Sequence, residues 1–317
     1  MAIILLLFNL TPKVDSLILG SIELSYQEEF ARSESLLKIV INEIPDNPAP
    51  YFCLASLYEL MWVDLGCDSF AVKFFSYSDS SIIIANEWVK KHPDDAWGYF
   101  FMGGAYTIRI FYYALNGDAF KGLSFVGPAL KALSRCQAKD PGISDVYLGL
   151  GGWEYFKGHF PLLNSKKKKG LSMIKRASEN AKYVSLYATL AYAQILLREE
   201  NFQETISILT PLVDSFPNSR TLTWPLLKAY FGGKDYDNAL KMADRLINLS
   251  EDNKYSNFGA HYYKVKILMA FKRLRGAVNT AEEALEIDVD INAPDVKSMR
   301  EELDKTLKEL YQRIGVK

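Results

Sequence analysis

Two consecutive 34-residue blocks, residues 186–219 and 220–253, share one layout, and this internal period constrains the fold more than any other feature of the chain. Block 220–253 reads RTLTWPLLKAYFGGKDYDNALKMADRLINLSEDN, two amphipathic halves around a Gly-Gly-Lys-Asp turn. Leu226, Leu227 and Tyr230 fall on one helical face, and Tyr236, Ala239, Leu240, Ala243 and Leu246 on another. Small side chains at Ala239 and Ala243 let paired helices approach closely while Tyr236 fills the space beside them. Block 186–219 repeats the plan. Tyr192, Ala193 and Leu196 lie on its first helix, Glu199, Glu200 and Asn201 form the turn, Phe202, Thr205, Ile206 and Leu209 lie on the second, and Pro217 stops it.

A large residue, small residues, a Tyr, a paired Ala and a closing Pro in that order resemble the tetratricopeptide repeat, with Thr205 departing where the family prefers Ala. Earlier Pro stops extend the resemblance. Pro45 aligns Tyr51, Leu54, Ala55 and Tyr58 with the family's first-helix positions; Pro93 does so for Tyr99, Met102, Gly103 and Tyr106, and Pro141 for Tyr147, Leu150 and Gly151. Residues 14–47 form a fainter first unit with Leu17, Gly20, Leu24, Phe30, Leu37 and Val40. The last unit, about 258–289, carries Ala277, Ala281 and Ala284, and residues 295–314 read as a charged capping helix. The resemblance implies an all-α fold, a right-handed α-solenoid of about seven TPR-like helical hairpins with a C-terminal capping helix. Two early units, 48–95 and 96–143, exceed the 34-residue period, and longer helices account for them more simply than extra segments near 65–78 and 115–126. The expected division is a signal-like apolar segment at 1–13, N-terminal repeats at 14–157, a loop or hinge at 158–165 around Pro161, C-terminal repeats at 166–293 and the cap at 294–317.

Composition narrows the function classes. A net charge of −1, from 37 basic and 38 acidic residues, argues against a nucleic-acid partner, which favours a net basic face. The 19 Tyr, 18 Phe and 5 Trp suit packing between solenoid helices. Cys53, Cys67 and Cys136 form no CxxC pair and read as buried free thiols. His92, His159 and His261 are far apart, so no metal site is expected. There is no GxSxG, HExxH or Walker motif, and the Gly-Gly pairs at 103–104, 151–152 and 232–233 read as close-packing or turn positions. The expectation is a non-enzyme without a cofactor. Residues 2–10, AIILLLFNL, are too short to span a bilayer. They match the apolar core of a secretory signal but lack a preceding Lys or Arg and an A-x-A site. Export to the periplasm and a cytoplasmic location therefore both stay open, and membrane association is expected only through this N-terminus.

In the tetratricopeptide family the first helix of each hairpin lines a concave groove. Those offsets imply that Phe52, Trp97, Phe100, Tyr155, Phe156, Tyr187, Trp224, Phe231 and Tyr262 face inward, with Gln194, Arg198, Lys228 and Lys266 among them. Rings for apolar side chains and cations for a carboxylate suit an acidic or C-terminal peptide. The leading expectation is a protein–protein interaction scaffold whose partner is another protein or a peptide segment. The alternative, similar to tetratricopeptide lipoproteins of bacterial transporters, is a ligand-binding accessory protein of envelope transport or export holding a small apolar ligand, though no lipid-attachment Cys follows the apolar run. A closed apolar cavity would mark that alternative. Lys166, Lys167, Lys168 and Lys169 read either as a solvated helix start or, because they oppose the macrodipole of that helix, as a contact for anionic lipid, phosphate or an acidic partner.

Overall fold

The computed structural model describes residues 10–67, 69–293 and 295–315. Among them the chain forms fifteen α-helices and no strand. The helices are α1 (Pro12–Tyr26), α2 (Phe30–Glu43), α3 (Pro48–Leu65), α4 (Ser69–Lys91), α5 (Ala96–Leu115), α6 (Ala119–Lys139), α7 (Val146–Lys157), α8 (Asn164–Asn180), α9 (Ser185–Arg198), α10 (Phe202–Ser215), α11 (Arg220–Gly232), α12 (Tyr236–Leu249), α13 (Lys254–Ala270), α14 (Leu274–Glu286) and α15 (Val296–Ile314). They pair as seven consecutive hairpins followed by α15, a tetratricopeptide-type repeat. The faint first unit is a helical pair, α1 and α2, tied by a hydrogen bond from Ser33 Oγ to the Ser21 carbonyl at 2.8 Å. The two long units hold long helices, α3 to α6 having 18, 23, 20 and 21 residues against 13 for α11 and 14 for α12. The apolar run at 2–10 lies outside the described residues except for Leu10.

The period is written into the turns. Asn201 and Asp235, 34 positions apart, cap α10 and α12 through bonds from the Glu204 and Asn238 N–H groups; Ser219 and Asn253, equally spaced, cap α11 and α13. Five of the hairpin turns also end their first helix in the same way. Glu28, Gly117, Glu200, Lys234 and Lys272 adopt positive φ, and the following N–H reaches back to the carbonyls of Leu24, Tyr113, Leu196, Tyr230 and Leu268. That left-handed residue and its long return bond form a Schellman stop, which satisfies helix-end carbonyls and reverses the chain.

The chain divides into two compact units. The first comprises Met1–Ser25, Glu29–Leu60 and Ser69–Tyr192; the second comprises Tyr26–Glu28, Met61–Asp68 and Ala193–Lys317. The loop after α7 belongs to the first. Rings fill that unit's interior. Phe74 stacks on Tyr112 at 4.9 Å, and Tyr58 on Tyr77 at 5.6 Å. Buried Arg109 donates to Ser78 Oγ, the Phe75 carbonyl and Asp79 Oδ1. Asp145 receives the backbone N–H groups of Lys182, Tyr183 and Val184, which fixes the approach to α9. Cys53 and Cys136 are buried as expected of small apolar thiols; Cys67 is exposed, because it lies in the connection between α3 and α4.

In the second unit, Ala239, Ala243 and Leu246 of α12 pack with Leu227, Ala260 and Ile267. Val296, Leu303 and Leu310 of α15 close the apolar end left by Phe258, Val265, Ala277 and Ala281. A polar cluster sits at the start of α11. Arg220 donates to both oxygens of buried Asp64 at 3.0 and 2.6 Å, and Asn253 Nδ2 donates to the Asp64 carbonyl at 2.9 Å. Glu28 Oε1 accepts the Arg220 and Thr221 N–H groups, while Glu28 Oε2 lies 2.6 Å from Arg220 Nη2 without hydrogen-bond alignment. Burial, then the neighbouring Asp64 carboxylate, pushes the Glu28 carboxyl well above the usual range.

Candidate functional site

The second unit carries an open pocket of about 270 Å³ lined by Gln194, Leu197, Arg198, Phe202, Lys228, Phe231 and Tyr263. Three first helices of successive hairpins supply most of it: the last turn of α9, then α11 and α13. The floor is aromatic. Phe231 meets Tyr263 edge-on at 5.7 Å, and Tyr263 meets Trp224 at 5.9 Å. Trp224 is held by its Nε1–H, which donates to Ser256 Oγ at 3.0 Å. Phe202 can enter only because residue 232 is glycine: a Cβ there would fall on the Phe202 ring.

Two cations, Arg198 and Lys228, line the pocket with these rings. Lys228 is exposed, and its ammonium lies 5.9 Å from the Trp224 ring centroid. Crowding strips water from it and holds its pKa below the ordinary lysine range, opposed by the Asp295 carboxylate. Arg198 is exposed, and neither cation makes a hydrogen bond or ion pair among the described residues. Lys266 differs. Its ammonium donates to Tyr262 Oη at 3.0 Å and lies 3.3 Å from Glu302 Oε1, while Tyr262 donates to Glu302 Oε2 at 2.6 Å. The repeat offsets imply inward cations without inward acids; at Lys266 the acid comes from α15, outside the repeats.

The remaining expected groove positions do not join this pocket. Phe52 and Phe100 are buried in the first unit, packed at 5.8 Å from each other. The space they line with Gly104, Leu148 and Val184 holds about 10 Å³, less than one water, so it is packed core and not a ligand cavity. Trp97 is half-buried against Tyr183 at 5.0 Å. Tyr187 donates to both oxygens of Glu59 at 3.0 and 2.9 Å, and burial pushes that carboxyl up to about 8. Phe52, Trp97, Phe100 and Tyr187 are thus all in contact with side chains of their own unit. Tyr155 is half-buried beside His159, and Phe156 is exposed at the end of α7. Lys166 and Lys167 are half-buried at the start of α8, where Lys166 lies 3.5 Å from Glu154, and Lys168 and Lys169 are exposed. Sequence reasoning missed Leu197, Phe202 and Tyr263. Phe202 was legible as the residue after a turn Asn, and Tyr263 differs from the expected Tyr262 by one position of register.

No family model matches the chain, and no curated protein matches it. Solved structures do. Human IFIT1, solved as a dimer with m7Gppp-AAAA, aligns over 90% of this chain with a TM-score of 0.52 and 13% identity. The chain spans 65% of that IFIT1 chain. A thermophilic TPR protein of Thermus thermophilus is 14% identical over 93% of this chain and 99% of its own, with a TM-score of 0.30. A tetratricopeptide repeat protein of Parabacteroides merdae is 15% identical over 95% of this chain and 99% of its own, with a TM-score of 0.37. At such identities the likeness concerns the fold. About seven consecutive helical hairpins, two of them with turns 34 residues apart, define that fold as a tetratricopeptide-type helical repeat.

Proposed function

We propose that this chain is a non-catalytic interaction scaffold that holds an acidic or carboxylate-terminated peptide segment of a partner protein in the pocket between α9, α11 and α13. The observation that carries this reading is the pair Arg198 and Lys228, exposed beside an aromatic floor and in no hydrogen bond or ion pair among the described residues, with Asp295 the acid whose charge Lys228 feels. Guanidinium and ammonium groups so placed suit a carboxylate, and Phe231, Tyr263 and Leu197 suit an apolar side chain beside it.

The test is recovery of partners from a lysate with the wild type and with an Arg198→Ala/Lys228→Ala pair, followed by affinity measurement with the recovered segment. The pair should weaken binding by about 10- to 100-fold, the loss expected when charge-assisted hydrogen bonds are removed. Amidating a terminal carboxylate, or replacing the segment's acids, should reproduce the loss. Partners retained equally by the pair would sink the reading. IFIT1 is solved with m7Gppp-AAAA, so this oligonucleotide serves as the control ligand: competition by it for the same pocket would replace the peptide reading with a nucleotide one.

A further inference from the structure

The turn between α7 and α8 exposes a cluster of large apolar side chains. Phe156, Phe160, Leu162 and Leu163 are all exposed, Leu162 at 99%. A folded chain rarely leaves such residues side by side in water without a use for them. Leu162 also adopts φ +68, a left-handed conformation that a branched side chain disfavours, so the backbone is held in an awkward state that presents the leucine outward. The turn is braced from behind. A Cβ on Gly158 would fall on the Lys167 backbone and one on Gly170 on the Tyr155 backbone, so α7 and α8 touch main chain to main chain. Successive N–H bonds from Phe160 to Lys157, Leu163 to Phe160 and Lys166 to Leu163 carry the chain around the turn.

Lysines outnumber acids beside this cluster, five against the single Glu154 within residues 154–170. Glu154 is taken up by Lys157 at 2.6 Å and by Lys166 at 3.5 Å. Lys167 lies over the Tyr155 ring, 5.8 Å from its centroid. Lys168 and Lys169 stay exposed and make no ion pair among the described residues.

We infer that this turn is a membrane-docking element, in which Phe160, Leu162 and Leu163 enter the interfacial region of an anionic bilayer while Lys168 and Lys169 meet its phosphates. The shape favours lipid over protein. A nearly fully exposed leucine protrudes, and a protruding apolar tip needs a recess on a protein partner, whereas the headgroup boundary yields to it. Apolar side chains beside lysines are the chemistry that lies in that boundary rather than crossing the bilayer. No helix among the described residues is long and apolar enough to cross. This contact is separate from the apolar segment at 1–13.

The experiment is sedimentation of the full chain with unilamellar vesicles of phosphatidylcholine alone or with phosphatidylglycerol. Wild type is compared with Phe160→Ser/Leu162→Ser and Lys168→Ser/Lys169→Ser, each checked for unchanged circular dichroism. Because every protein keeps residues 1–13, differences among them report the turn. Wild type should bind anionic vesicles and release in salt. The lysine pair should lower partitioning by about 25-fold, about fivefold for each lysine near an anionic surface. Loss of the two apolar tips should lower it by about tenfold. Absence of wild-type binding to anionic vesicles overturns the inference, as does partitioning unchanged by both pairs. Loss with the lysine pair but none with the apolar pair also overturns it, since it marks a contact with any polyanion, an acidic protein included.

Discussion

A glycine inside a helix costs about 1 kcal/mol relative to alanine, so replacing one should usually stabilise. Gly20 of α1 follows that rule: a Cβ there would meet only Leu36 Cδ1, at 3.9 Å. Gly170 of α8 does not, because its Cβ would strike the Tyr155 nitrogen and the Gly151 carbonyl, backbone atoms that cannot turn away. The two substitutions should therefore have opposite signs. Gly20→Ala should raise unfolding free energy by about 0.5–1 kcal/mol, and Gly170→Ala should lower it by about 1–3 kcal/mol as α7 and α8 are forced apart. Urea denaturation of both variants checks this, and a stabilised Gly170→Ala would show that the helices separate freely. Residue type alone marks both positions as small; only the neighbour's backbone distinguishes them.

Helices were the most legible level. The Ala and Tyr spacing of α11 and α12, the turn residues Asn201 and Asp235 and the Pro stops are local signals, and each element they mark exists. The groove was legible only in part, because a first-helix offset says which way a residue faces and not what lies opposite. Phe231, Arg198 and Lys228 line a pocket, whereas Phe52 and Phe100, at matching offsets, meet their own chain. The contact from Tyr187 to Glu59 joins residues 128 positions apart, and no 34-residue pattern encodes it. The cap shows the same division. Its charge was visible, while its pairing of Glu302 with Lys266 was not. Its apolar stripe still closes the repeat, with Leu303 1% exposed against α13 and α14. Leu303→Ala should cost about 2–4 kcal/mol through the cavity it leaves. Denaturant unfolding with the midpoint and slope both fitted tests this, and a loss below about 1 kcal/mol would mean that α15 is dispensable as a lid.

The molecule as a whole carries buried carboxyls that prefer to keep their protons. Burial pushes Glu59 up to about 8, against hydrogen bonds from Tyr187, and burial with Asp64 raises Glu28. Glu302 works in the other direction, lowered by the bonds from Tyr262 and Lys266, but it is half exposed and its contribution is correspondingly small. For Glu59 the direction of the pH effect follows from which state holds the proton. Below pH 4.5, the ordinary value for a glutamate, folded and unfolded chains both hold it. Between there and about pH 8 the unfolded chain has released it and the folded chain has not, so raising the pH stabilises the unfolded state. Unfolding free energy should therefore fall between pH 5 and pH 8, by on the order of a few kcal/mol from Glu59, and level off above. Glu59→Gln keeps an acceptor for Tyr187 and removes the titration. It should flatten much of the slope and leave the protein more stable than wild type at pH 8. Urea denaturation at pH 5, 6, 7 and 8 reads the effect, and a slope untouched by Glu59→Gln would assign the pH dependence to Glu28 at the start of α11 instead.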